Sequence, residues 1–146
     1  MKIISHRGNL NGKNIELENT PNYIQSAINE GFDVEIDVWF VDGSFVLGHD
    51  APIHQVEKLW IVSRCNYLWI HAKNKEAFYE LGQERMHYFW HQTDHYTLTS
   101  KGIPWCYPKH YAKNGIAVIR GIDFPKEEVY GICTDYALTM NKKLLS

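Results

Sequence analysis

The fold is decided by the stretch Asp33-Val34-Glu35-Ile36-Asp37-Val38-Trp39. Apolar residues alternate with polar or aromatic residues along it, and this period of two is typical of a β-strand with two different faces. Residues two apart on a strand point the same way, so Glu35 and Asp37 share one face. We expect the opposite, β-branched face to pack against helices.

The segments around this strand predict alternating strands and helices. A helix begins at Pro21, after the candidate N-cap Thr20, and stops at Gly31. The turn Asp42-Gly43 leads into a returning strand. Strands that alternate with helices predict βα units on a parallel sheet. The remaining predicted strands are residues 2–5, 44–48, 68–73, 88–90, 103–107, 116–119 and 129–134, and a second helix is predicted over residues 75–85.

Length and composition predict one ordinary folded domain spanning residues 1–146. Hydrophobic residues make up 45% of the chain and charged residues 22%, which excludes a disordered protein. The net charge is −2, and no block of like charges is present, so the basic pattern of a nucleic-acid-binding protein is absent.

The sequence also predicts where the protein is found. No apolar run approaches the roughly 20 residues of a membrane-spanning helix, and the first residues do not resemble a signal peptide. Three cysteines without Cys-x-x-Cys spacing predict neither a disulfide framework nor a thiolate zinc site. We therefore expect a cytoplasmic protein without a membrane span.

The paired carboxylates of Glu35 and Asp37 are the first candidates for chemistry. Two like charges on one strand face repel each other unless a cation lies between them, and hard oxygen ligands suit magnesium or calcium. The alternative for these two residues alone is a solvated face of an antiparallel sheet.

Basic side chains end the predicted strands. His6 and His49 lie where a parallel α/β sheet places functional groups, and a histidine can exchange protons near neutral pH. The guanidinium of Arg7 suits a phosphate oxygen, and Lys73 adds a point charge on the same strand face as His71. Each of these residues alone is more often a loop histidine or a surface ion-pair partner. Together they favour a phosphate site.

These motifs, taken in order, resemble a known family. The N-terminal signature of the glycerophosphodiester phosphodiesterase family is similar to Ser5-His6-Arg7-Gly8, Glu18-Asn19-Thr20, Glu35-Ile36-Asp37, Asp42-Gly43 and His49-Asp50. These elements cover about the first third of the chain. Further along, Ile70-His71-Ala72-Lys73 and Gly131-Ile132-Cys133-Thr134-Asp135-Tyr136 resemble two later strands of that family.

The resemblance implies a TIM-like (β/α) barrel enzyme that hydrolyses a phosphodiester, in particular a glycerophosphodiester, to an alcohol and a phosphomonoester. The substrate would be a small molecule, and a hydroxyl neighbouring the phosphate would attack phosphorus to give a cyclic intermediate that water opens. The implied roles are general acid and base for His6 and His49, phosphate binding for Arg7 and Lys73, binding of one divalent cation by Glu35 and Asp37, and support of Arg7 or of the metal by Glu18.

The chain departs from the family pattern in two ways. The third metal carboxylate falls on His71, so either magnesium binds more weakly, manganese-like metals are favoured, or His71 is not a ligand. Eight complete βα units also cannot fit into 146 residues. We therefore predict a reduced TIM-like barrel with several helices shortened or missing, and association into a homo-oligomer as a way to cover exposed strand surface.

Two other functions remain as alternatives. A phospholipase D-like phosphodiesterase also uses two histidines with a Glu-x-Asp pair, but the Glu18-Asn19-Thr20 element and the lack of a secretion signal disfavour it. A non-catalytic phosphodiester-binding protein is disfavoured because both His6 and His49 are retained. The sequence leaves open which histidine is the acid and which is the base.

Two more groups of residues have alternative interpretations. His91 and His95 have the spacing of a helical zinc pair, but their neighbours favour strand or loop, where that geometry is lost. Trp105, Tyr107 and Tyr136 form either an apolar wall for a substrate or part of the core.

Overall fold

The structure, a computed structural model, describes residues 1–146 as a mixed α/β fold with ten strands in one sheet. The predicted α/β class is confirmed. The strands are β1 (Lys2–His6), β2 (Asp33–Val41), β3 (Ser44–Leu47), β4 (His54–Val56), β5 (Leu68–Ala72), β6 (Tyr88–Phe89), β7 (Tyr96–Leu98), β8 (Pro104–Cys106), β9 (Ile116–Ile119) and β10 (Gly131–Thr134). The helices are α1 (Pro21–Asn29), α2 (Lys58–Val62), α3 (Lys75–Gln83) and α4 (Ala137–Leu145).

Most of the sheet is parallel. Seven parallel strands follow one another in the order β6-β5-β2-β1-β10-β9-β8. The antiparallel strands β3 and β4 extend from β2, and β7 forms a hairpin with β8. Because the parallel strands share one direction, their carboxyl ends meet at one edge of the sheet. Strand-to-strand pairing is not closed, since β6 and β8 do not pair with each other.

Side chains nevertheless join the two ends of the parallel run. The ring of Phe89 on β6 stacks on Trp105 of β8, with centroids 4.5 Å apart. Tyr88 and Ser100 also form two hydrogen bonds. The Tyr88 amide donates to Ser100 Oγ at 3.0 Å, and the Tyr88 carbonyl accepts from the Ser100 amide at 2.8 Å. The sheet is therefore curled around a buried cluster formed by Ile4, Trp69, Phe89, Trp105, Ile116 and Cys133.

The helices cover the outer face of the sheet on one side. Val34, Ile36 and Val38 are fully buried in the largest core cluster, together with residues of α1, α2 and α3, so the prediction that this face packs against helices is confirmed. Helix α4 packs against β1 and β10 through Ala137 and Met140. The connections between β6 and β10 contain no helix. None of the four helices combines the length and apolar character needed to cross a bilayer.

Several elements differ from the prediction. The helix predicted over residues 75–85 ends at Gln83, and Arg85 adopts a positive φ of 54°. Four short or weakly patterned elements were not predicted: β4, β7, α2 and α4. Strands β4 and β7 have only three residues each, which is too short for a periodic signal. His91 and His95 lie in the loop between β6 and β7, so the prediction that they are not a helical pair is confirmed.

Candidate active site

The carboxyl edge of the sheet carries an open cleft with a volume of about 1090 Å³. His6 ends β1, and the strand register places it beside Glu35 of β2. The register of β2 with β5 places Asp37 beside His71. His49 follows β3, whose hairpin with β2 brings it back to this edge. The structure thus brings together all eight site residues predicted from the sequence: His6, Arg7, Glu18, Glu35, Asp37, His49, His71 and Lys73.

The turn after β1 positions Arg7. Arg7 and Gly8 both have positive φ, at 56° and 90°. A Cβ at Gly8 would lie 3.1 Å from the backbone carbonyl carbon of Tyr23 in α1, so only glycine allows this close approach. The turn directs the Arg7 side chain back under the cleft, where it is 8% exposed.

Both Nη atoms of Arg7 form hydrogen bonds to other site residues. Nη1 donates to Glu18 Oε1 at 3.0 Å, Nη2 donates to His49 Nδ1 at 2.8 Å, and Nε lies 3.1 Å from Asp37 Oδ2. A guanidinium has five N–H groups. Nη1 and Nη2 each use one, and the Nε–H is buried without a hydrogen-bond partner, so two N–H groups on the Nη atoms remain for a ligand. Arg7 therefore links Glu18 and His49 within the site. Lys73 is freer, because its ammonium forms no hydrogen bond and its closest acidic oxygen, Asp37 Oδ1, is 3.9 Å away.

His6 is oriented by a carboxylate that the sequence analysis did not assign to the site. Its Nδ1 lies 2.7 Å from Asp135 Oδ1, and a carboxylate can only accept, so Nδ1 carries a proton. The neutral ring then has its lone pair on Nε2, which lies 3.7 Å from Glu35 Oε2. Asn9 holds Asp135 in place by donating to Oδ1 at 2.9 Å.

His49 has the opposite proton arrangement. Its Nδ1 lies 2.8 Å from Arg7 Nη2 and 3.4 Å from Asp37 Oδ2. Because Arg7 can only donate, Nδ1 of the neutral ring accepts and the proton lies on Nε2. A protonated ring would donate its Nδ1 proton to Asp37 and would keep the proton on Nε2. In both states His49 therefore has an N–H at Nε2.

Glu35, Asp37 and His71 form a group that could hold a metal ion, with one ligand atom from each within 4.8 Å of the others. Glu35 Oε2 and Asp37 Oδ1 are buried without a hydrogen-bond partner. His71 Nε2 lies 2.8 Å from the carbonyl oxygen of His91, so it donates there, and the neutral ring turns its Nδ1 lone pair toward Asp37 Oδ1 at 3.1 Å. Two unpaired carboxylate oxygens beside an imidazole lone pair fit a divalent cation.

The second oxygen of Asp37 is held by Asn19. The Asn19 amide donates to Asp37 Oδ2 at 2.9 Å, and its carbonyl accepts from the Asp37 backbone N–H at 3.0 Å. Asn19 is buried and adopts a positive φ of 60°, a conformation that asparagine tolerates better than most residues. This pair of bonds fixes the carboxylate orientation within the candidate metal group.

The carboxylates of the site differ in how readily they ionise. Burial raises the pKa of Glu35, and the adjacent negative charge of Asp37 raises it further. Burial alone would also raise the pKa of Asp37, but the adjacent basic side chains of His49, His71 and Arg7 outweigh it and hold this pKa well below its usual value. Burial acts to lower the pKa of His6, yet the hydrogen bond to Asp135 and the charge of Glu35 leave it raised.

Comparison with known proteins leaves the site to be interpreted from its geometry. No family model, curated protein or solved structure matches this chain. The candidate site residues to which the sequence analysis assigned no role are Asp135, Asn9 and Asn19. Asp135 could have been found from its position directly after a buried strand, where the other site residues of a parallel sheet also lie.

The three aromatic residues with two interpretations all line the cleft, and Trp105 also belongs to the core. Trp105 is 4% exposed and stacks within the inner cluster. Tyr107 and Tyr136 lie along the wall of the cleft and are accessible from it.

Proposed function

We propose that this chain is a metal-dependent phosphodiesterase of the glycerophosphodiester phosphodiesterase type, built on a reduced TIM-like barrel. It would hydrolyse a glycerophosphodiester to an alcohol and a phosphomonoester. The curled run of seven parallel strands and the absence of helices between β6 and β10 support the reduced barrel.

One observation carries the proposal. Two histidines with opposite proton arrangements lie on either side of a buried carboxylate pair that has unpaired oxygens, and Lys73 faces the same cleft. Phosphodiester hydrolysis needs these groups together: a proton acceptor for the attacking oxygen, a proton donor for the leaving oxygen and positive charge for the phosphoryl oxygens.

The hydrogen bonds support separate roles for the two histidines. His6 Nε2 is the atom that can accept a proton from the attacking hydroxyl, because Asp135 retains the proton on Nδ1 and stabilises the imidazolium that forms. His49 Nε2 carries a proton in both states of the ring and can donate it to the leaving oxygen. When water opens a cyclic intermediate, the two roles reverse.

The remaining charges suit an anionic transition state. Lys73 and the two unengaged N–H groups of Arg7 would bind phosphoryl oxygens. Glu35, Asp37 and His71 would hold a divalent cation, magnesium, calcium or manganese, which would supply further positive charge at the phosphoryl group. Glu18 keeps Arg7 in place through its 3.0 Å bond to Nη1.

The test is alcohol release from a panel of glycerophosphodiesters, with magnesium, calcium or manganese added back after chelation. We expect metal-dependent turnover that falls by at least about two orders of magnitude in His6→Ala and in His49→Ala. His54→Ala is the matched control, because His54 lies on β4 and does not line the cleft.

The panel also separates the alternatives. If the protein hydrolyses only choline-containing lipid diesters and none of the other diesters, a phospholipase D-like enzyme is favoured. A folded protein that binds these phosphodiesters but releases no alcohol with any metal would contradict the proposal and favour a binding protein.

A further inference from the structure

The end of β10 brings two further basic residues to the cleft. Lys13 follows Gly12, whose amide donates to the Asp135 carbonyl at 2.8 Å, and Arg120 follows Ile119, which pairs with Thr134. Lys13, in the loop after β1, and Arg120, directly after β9, both line the cleft, and both are exposed. Neither side chain belongs to any ion pair of the chain. Two cations without acidic partners therefore face the same open space as the candidate active site.

Arg120 is held toward the cleft by an aromatic residue. Its Nη2 donates to the hydroxyl of Tyr107 at 2.9 Å, and its guanidinium carbon lies 5.7 Å from the centroid of the Tyr107 ring. These contacts orient the guanidinium and use one of its five N–H groups. The others are free for a fork-like contact with an anion, which a guanidinium binds in two places at once.

The acids of the cleft do not neutralise Lys13 and Arg120. Glu18 is bonded to Arg7, Asp135 to His6 and Asn9, and Asp37 to Asn19 beneath the floor. Asp50 lies nearest to His49, at 3.6 Å, after the β2–β3 hairpin. A substrate with one phosphate at the reactive centre would leave Lys13 and Arg120 without a counter-charge.

We propose that Lys13 and Arg120 bind a second phosphate group, carried on the alcohol portion of the substrate. This inference rests on the proposed function, because it takes the first phosphate to lie between His6 and His49. The preferred substrate is then a phosphodiester with two phosphates separated by a short polyol. Tyr107 is the positioning residue for Arg120.

A matched pair of probes tests this inference. Glycerophosphoglycerol has one phosphodiester, and bis(glycerophospho)glycerol carries a second one on the same backbone. For the wild type we expect kcat/KM to be roughly tenfold higher for the second probe, after correction for the twofold statistical effect of its two equivalent diesters. The increase should come from a lower KM. The gain should shrink as sodium chloride is raised, because exposed charges are screened.

The variants assign the gain to residues. Arg120→Gln should abolish it and Lys13→Gln should reduce it, while kcat on glycerophosphoglycerol stays near the wild-type value. The control is Lys113→Gln, since Lys113 lies outside the cleft and pairs with Glu128 at 3.4 Å on the surface. It should retain the full preference.

The outcomes separate this inference from the proposed function. A kcat/KM for the two-phosphate probe that is no more than twice that for glycerophosphoglycerol overturns the second phosphate site. A preference that survives in Arg120→Gln does the same. Neither result contradicts the proposed phosphodiesterase activity. If neither probe is hydrolysed, calorimetric binding of the same two probes decides: tighter binding of the two-phosphate probe that is lost in Arg120→Gln supports the site, and equal binding overturns it.

Discussion

His87 offers the sharpest prediction for stability, because it is a buried histidine that belongs neither to the candidate metal group nor to the lining of the cleft. It is 5% exposed, its Nε2 lies 2.8 Å from Thr99 Oγ1, and its ring packs on Trp69 with centroids 4.1 Å apart. Burial lowers its pKa from 6.5 to about 4, and the positive charges of Lys101 and Lys2 act in the same direction. The folded protein therefore disfavours the protonated ring.

The lowered pKa makes stability depend on pH. Between pH 6.5 and about 4 the unfolded chain binds a proton at His87 that the folded chain does not. The contribution of His87 to the free energy of unfolding is therefore complete above pH 6.5 and is lost progressively as the pH falls toward 4. At about 1.4 kcal/mol for each tenfold change in affinity, the loss is at most about 3 kcal/mol in the free energy of unfolding.

The assay is urea unfolding of the wild type and of His87→Gln, followed by circular dichroism at several pH values from 7 to 4. Groups in the cleft also titrate in this range, so the quantity of interest is the difference in unfolding free energy between the two proteins. We expect wild type to lose its advantage over the variant by up to about 3 kcal/mol as the pH falls. A difference that stays constant from pH 7 to pH 4 would refute the reasoning. His54→Gln, on β4, serves as the control.

Three further changes probe the site. Asp135→Asn should lower kcat by about two orders of magnitude with a smaller change in KM, because the amide lacks the negative charge that stabilises protonated His6 and can also donate to Nδ1, which favours the wrong tautomer; steady-state kinetics measures this. His71→Asp should raise affinity for magnesium relative to manganese, since an oxygen ligand replaces a nitrogen, as calorimetric metal titration would show. Asn19→Ala should destabilise the fold by about 1–3 kcal/mol in urea unfolding, because it leaves the buried Asp37 amide without its bond.

Each of these changes has an outcome that contradicts its reasoning. Unchanged kcat in a folded Asp135→Asn protein would remove the positioning role of Asp135. Identical metal preference in wild type and His71→Asp would place His71 outside the ligand set. A fully stable Asn19→Ala protein would mean that water satisfies the Asp37 amide.

The sequence predicted the parts of the fold that depend on local patterns. The period of two in β2 correctly separates the carboxylate face from the apolar face, since strand geometry alone decides which way each side chain points. The start of α1 at Pro21 is correct for a similar reason, because proline suits the first turn of a helix. Short elements such as α2, with five residues, carry too little periodicity to be found in this way.

The contacts within the site could not be predicted, because they join distant parts of the chain. The partner of His6 is Asp135, 129 residues away, and no local pattern links the two. Arg7 was expected to bind phosphate, but its three partners come from the loop before α1, from β2 and from the segment after β3. Only the packed sheet determines how many of its donors remain free.

The central position of β1 has a consequence for biosynthesis. β1 precedes the other nine strands of this sheet in the chain, yet it pairs in parallel with β10, the tenth of them. Its neighbour on that side is synthesised much later, since Lys2 pairs with Gly131, 129 residues further along the chain. Such long-range pairing slows folding. Asp135 directly follows β10, so His6 gains the carboxylate that orients it only when β10 pairs with β1. A nascent chain that stops short of this strand would contain both histidines but would lack the carboxylate that orients the first of them.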